Sequence, residues 1–161
     1  MLPRPTTPTY ELEIPSLKKT IKYRPFLVKE EKILIIAMES EDPKQITEAV
    51  KTVISNCILT RGIKVEKLST FDIEYLFLNL RAKSVNNISE LKITDDEDNI
   101  EYEISINLDD IKITMPERNN IIQINDSISL IMKDPDYATV KKLEKKSEDQ
   151  VMNSILIECI D

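Results

Sequence analysis

Six consecutive apolar residues, Ile33, Leu34, Ile35, Ile36, Ala37 and Met38, form the longest uninterrupted apolar run in this chain. The residues before it supply its context. Pro25 biases Arg24 toward an extended backbone, so a strand can end there. Glu30 and Glu31 then fall in a first helical turn, where carboxylates suit the positive end of the helix dipole. A helix that is apolar all round is a buried one. The spacing therefore predicts a strand running into a central core helix, with Phe26 and Leu34 in the core. Six residues fall far short of the roughly 20 that cross a bilayer.

The flanking segments supply the other elements. Tyr10, Leu12 and Ile14 alternate with Glu11 and Glu13, and Ile21 and Tyr23 repeat the period after Pro15 and Ser16, which predicts a hairpin. Asp42, Pro43 and Gln45 form a helix start with capping-box spacing. From there Ile46, Ala49, Val50, Val53, Ile54, Cys57 and Ile58 keep helical spacing until Gly62, the only glycine, which is expected to end the helix in a left-handed conformation. With so little glycine, sharp turns are expected to fall on Asn and Asp. Ser69 and Asp72 start a third helix, with Leu68 and Ile73 placed as a hydrophobic staple and Leu76, Phe77 and Leu80 on its core face. Tyr75 and Leu78 widen that face.

After Asn87 the period changes to two. Leu91 and Ile93 form one strand, and Ile100, Tyr102, Ile104, Ile106 and Leu108 alternate with polar residues in the next. Ile111, Ile113 and Met115 continue the pattern up to Pro116, followed by segments at 121–124 and 128–132. These spacings predict an antiparallel meander with one wet face. The last region opens at Asp134 and Pro135 and ends in a helical stripe of Val151, Met152, Ile155, Leu156, Cys159 and Ile160, started by a capping box at Ser147 and Gln150. Its helical period is still running at Asp161, without the usual stop signals. The expected reason is truncation of a longer chain, or a second subunit covering the stripe.

Two blocks carry a resemblance. Arg-Pro-Phe-Leu-Val-Lys-Glu-Glu-Lys at 24–32 and Phe-Asp-Ile-Glu-Tyr-Leu-Phe-Leu-Asn-Leu-Arg-Ala-Lys-Ser at 71–84 resemble, in order, the baseplate hub subunit family of T-even-type tailed bacteriophages. Leu2, Pro3 and Tyr10 to Leu12 add to the likeness, which covers the first half of the chain. The second half is similar only in its run of strands. The resemblance implies a structural or assembly component of a tail baseplate hub. The alternative is a tail assembly chaperone for tape-measure or hub proteins that does not stay in the virion. Members of the family continue beyond the length seen here. The implied location is the host cytoplasm during assembly, then the tail baseplate of the virion.

Composition restricts the chemistry. The chain has no histidine, which removes the commonest general base and metal ligand. One glycine allows no phosphate-cradling loop. Two cysteines make no disulfide framework, and Cys57, on an apolar helix face, reads as a small buried hydrophobe. The acidic cluster Asp95, Asp96, Glu97 and Asp98 lacks the glycine and the closing Glu of an EF-hand loop and reads as a solvated turn. A net charge of −7 disfavours nucleic acid and anionic membranes.

The resulting expectation is an α+β fold with an N-terminal β-hairpin, three helices, an antiparallel meander of four to five strands and a C-terminal helix. Residues 1–8 form an extended arm, 9–133 a single α+β domain and 134–161 a C-terminal helical segment. No catalytic residue, cofactor, metal ligand or small-molecule substrate is expected. The partners are other phage tail or baseplate proteins, or a second copy of the chain. Candidate protein-binding residues are Arg24, Pro25, Phe26, Lys29 and Glu30, together with Val151, Ile155 and Leu156; for Pro25 and Phe26 the simpler reading is that they set the strand–helix corner.

Overall fold

Residues 7–94, 100–115, 119–143 and 148–160 are described by the computed structural model. The first six residues of the expected arm, the turn at 95–99, Pro116, the capping position Ser147 and Asp161 lie outside the described residues. The alternation at the N-terminus folds as a hairpin of β1 (Tyr10–Ile14) and β2 (Lys19–Tyr23). Leu12 stands opposite Ile21 and Tyr10 opposite Tyr23, whose rings lie 5.8 Å apart. Three helices follow: α1 (Val28–Glu39), α2 (Pro43–Cys57) and α3 (Thr70–Ser84).

The start of α2 is built as its residues dictate. The Asp42 carboxylate accepts from the Lys44 amide at 2.9 Å and from Gln45 Nε2 at 3.1 Å, and Pro43 is the first helical residue. Its end differs from expectation. The helix stops at Cys57 because Ile58 turns extended and bridges to Tyr23. The Arg24 amide then donates to the Cys57 carbonyl at 3.0 Å, and the Leu59 amide to the Lys22 carbonyl at 2.8 Å. Gly62, at φ +87°, sits in the turn beyond this bridge. Lys18 and Glu41, not Asn or Asp, are the non-glycine residues at positive φ among those described.

The core lies where the first hairpin, α2 and α3 meet. Ile14, Ile21, Val53, Ile54, Leu76 and Leu80 are fully buried there. The expectation of a central α1 is corrected: α1 forms and packs on α2, but only Glu30 and Ala37 are buried along it. Val28, Ile36 and Met38 face outward, Met38 at 66% exposure. An all-round apolar helix specifies no buried face, and α2, with one apolar stripe and one polar face, takes the centre instead. Phe26 and Leu34 are partly buried against the core cluster. Truncating either to alanine is expected to cost about 2 kcal/mol, at the low end of the range for large side chains, in urea unfolding.

The α+β class holds, and among the described residues four strands follow the helices, but they do not form one meander. β3 (Ile88–Thr94) pairs with β4 (Glu101–Asn107), and β5 (Ile121–Asn125) pairs with β6 (Ile128–Ile131), in two separate hairpins. The break comes at a 3-10 turn at Leu108–Asp110. There the Asn107 side chain accepts from the Asp109 amide at 3.2 Å, while Lys83 Nζ and Asn87 Nδ2 hold the Asp109 carboxylate at 2.7 and 3.2 Å. These contacts redirect the chain onto α3. Ile111, Ile113 and Met115 run along Phe71, Tyr75 and Leu78 beside a cleft of about 340 Å³ instead of pairing as a strand.

Two short helices, α4 (Tyr137–Leu143) and α5 (Glu148–Glu158), complete the described chain. Tyr137 enters the core, its amide donating to the Leu68 carbonyl at 3.1 Å. Lys51 Nζ stands 4.1 Å over its ring, a cation–π contact in a largely buried setting. α5 packs on α4, and the Lys133 amide donates to the Cys159 carbonyl at 2.8 Å.

Candidate functional site

The stretch at 24–30 is organised by one ion pair. Pro25 turns the chain out of β2, and the Arg24 guanidinium folds back under the corner. Its Nη1 donates to the Pro25 carbonyl at 2.9 Å, and its Nη2 to the Asn56 carbonyl and to Glu30 Oε1, both at 3.1 Å. Glu30 is completely buried in the first turn of α1. Its other oxygen accepts from the Leu27 amide at 2.8 Å, which is half of a reciprocal cap, since the Leu27 side chain has no acceptor to return. Burial alone would push the Glu30 pKa up. The Arg24 hydrogen bond, the Leu27 amide and the charges of Arg24 and Lys29 outweigh it, and the net direction is down.

A second buried carboxylate does a similar job on α3. Asp72 is fully buried and accepts from the Ser16 amide at 3.1 Å and from the Ser16 hydroxyl, tying the β1–β2 turn to the helix start. Ser69 therefore occupies the N-cap position without a side-chain hydrogen bond. The two blocks are also joined directly, for the Phe26 amide donates to Ser84 Oγ at 3.0 Å. Arg81 Nη1 is buried without an acceptor, the single such side-chain atom among the described residues.

The sequence-derived candidates thus separate by environment. Arg24 and Glu30 are enclosed and bonded to each other, Pro25 and Phe26 are partly buried, and Lys29 projects outward, 71% exposed. On α5, Val151 and Ile155 are partly buried and Leu156 is exposed, with Met152 and Ile157. Sequence reasoning missed the breadth of apolar exposure on the two later hairpins. Every residue of β4 and β5 is exposed, including Tyr102, Ile104, Ile121 and Ile122.

No cluster of three or more His, Cys, Asp or Glu able to hold a metal occurs among the described residues. Burial pushes the Cys57 thiol up to about 11, despite the nearby Arg24 charge. A thiolate is what reacts. Native protein is therefore expected to react with a thiol reagent far more slowly than urea-unfolded protein, and equal rates would show the core around Cys57 to be open. Among the described residues no helix is long and apolar enough to cross a membrane.

The family model described as T4 bacteriophage base plate protein matches residues 7–161. The chain belongs to that family. No curated protein and no solved structure matches it at a significant level. As a member of the baseplate family it is a phage structural protein, of the tail baseplate of a virion. Both buried carboxylates and the Phe26–Ser84 bond fall within, or anchor onto, the two blocks at 24–32 and 71–84.

Proposed function

We propose that this chain is a structural or assembly component of the baseplate hub and acts by protein–protein association, without catalysis. The observation that carries the reading is the pair of hairpins whose apolar residues, Tyr102, Ile104, Ile121 and Ile122 among them, are exposed. Large exposed apolar patches mark interaction sites. The contact surface in this reading includes Lys29 and the outward side of α1, together with Val151, Ile155 and Leu156 of α5. Arg24 and Glu30 set the course of α1, and Pro25 and Phe26 form the corner before it. The partners are other tail or baseplate proteins met in the host cytoplasm during assembly. The net charge of −7 supports a protein partner over nucleic acid or an anionic membrane.

A tail assembly chaperone needs the same surfaces, so composition of the particle separates the two roles. Protein analysis of purified virions is expected to find the chain in a fixed ratio to other baseplate proteins. Its presence in assembly intermediates and absence from finished virions would replace the structural role with the chaperone role. Wall hydrolysis by the purified protein, lost on mutating a single carboxylate, would overturn both.

A further inference from the structure

We infer that the cleft between α3 and residues 111–115 takes an extended segment of a partner protein, which pairs with that stretch as a strand and sets a lysine or arginine against Glu74. Phe71, Tyr75 and Leu78 form one wall and Ile111, Ile113 and Met115 the other, around a volume of about 340 Å³. Pockets that enclose a whole ligand start at about 300 Å³. An open cleft at that lower bound suits one or two side chains projecting from a larger partner.

Two observations select this occupant. The first is the backbone beside the cleft. Ile111 is extended, and its amide donates to the Leu108 carbonyl at 3.3 Å. Beyond it, the backbone groups of residues 112–115 make no hydrogen bond to any other described residue. Ile111 and Ile113 are half-buried while Lys112 and Thr114 are exposed, which is the period of a strand. The stretch thus has the alternation of a strand and no ladder. An added strand supplies the missing main-chain bonds and seats alternate side chains in the cleft. A docked helix, bonded within itself, leaves those groups unmet. The second observation is charge. Glu74 is the one charged residue among those lining the cleft. It is exposed at the rim and forms no ion pair with another described residue. A basic side chain finds a carboxylate there, and an acidic one meets both Glu74 and a net charge of −7.

The inference goes beyond the hub assignment and holds for a structural component and for a chaperone alike, so virion composition does not bear on it. It is tested on the purified full chain by fluorescence polarisation. The probe is a labelled peptide, Thr-Val-Thr-Lys-Thr-Val-Thr, whose valines and lysine share one face when extended. Saturable binding is expected. Glutamate in place of the peptide's lysine is expected to weaken it about fivefold, the effect of a well-placed exposed ion pair. N-methylating the peptide's amides removes its donors, keeps its side chains and is expected to abolish saturable binding. In Glu74→Lys the preference is expected to reverse, the glutamate peptide binding more tightly than the lysine peptide. Glu74 is exposed on α3, so this variant keeps its fold, which circular dichroism checks. No saturable binding, binding that survives N-methylation, or a charge preference unchanged in Glu74→Lys overturns the inference.

Discussion

Replacing Arg24 with alanine is expected to lower the unfolding free energy by about 3 kcal/mol, as for other buried pairs that lose one partner. The cost arises chiefly from what is left behind. Glu30 is fully buried, and without the guanidinium its carboxylate keeps only the Leu27 amide and Lys29 Nζ at 3.4 Å. That residual lysine contact places the loss at the low end of the range. Adding Glu30→Gln is expected to cost less in the Arg24→Ala background than in the parent, because the orphaned charge is removed. The pair also has a pH signature. Its carboxyl titrates below the ordinary value of 4.5 in the folded state. The stabilisation is therefore complete above that value and disappears as the pH falls through the folded pKa. In Arg24→Ala the acid limb of stability is expected to start at higher pH, because burial then acts with less opposition. Urea unfolding at neutral pH and near pH 4.5 measures both effects; a loss under about 1 kcal/mol at neutral pH would show the pair to be solvated.

Ile54→Ala is expected to cost about 3–4 kcal/mol, whereas Ile36→Ala is expected to cost less than about 0.5 kcal/mol. Both replace an isoleucine in a helix, so propensity changes are alike and the comparison isolates burial. Ile54 is fully buried between the first hairpin and α3, and Ile36 is 57% exposed on the outer side of α1. Equal losses in chemical unfolding of the two variants would place the centre of the core on α1, and the described packing would be wrong.

Elements with local signals were legible in the sequence, while anything decided by packing was not. Asp42, Pro43 and Gln45 marked the start of α2 because capping is settled within four residues. The end of that helix was misread because a bridge from Ile58 to Tyr23, distant in sequence, overrode Gly62. Residues 33–38 gave the helix but not its place, since six apolar residues in a row contain no information on which side meets the core. Period-two spacing fixed the faces of β3 and β4, and it says nothing about whether a second layer covers them. The blocks at 24–32 and 71–84 were visible as sequence, yet the Arg24–Glu30 and Ser16–Asp72 contacts were not. Their signal was weak: an acidic residue at the third position of each helix, which reads equally well as a cap.

The separation of the later hairpins from the α2–α3 core divides the molecule into parts with different opening energies. Amide hydrogens in α2 and α3 are expected to exchange through global unfolding, so that their protection reports the full stability of the fold. The β3–β4 ladder is held chiefly by its own cross-strand bonds and can open alone. A hydrogen-exchange experiment on the full chain thus distinguishes amides that open locally from those that open only with the whole fold.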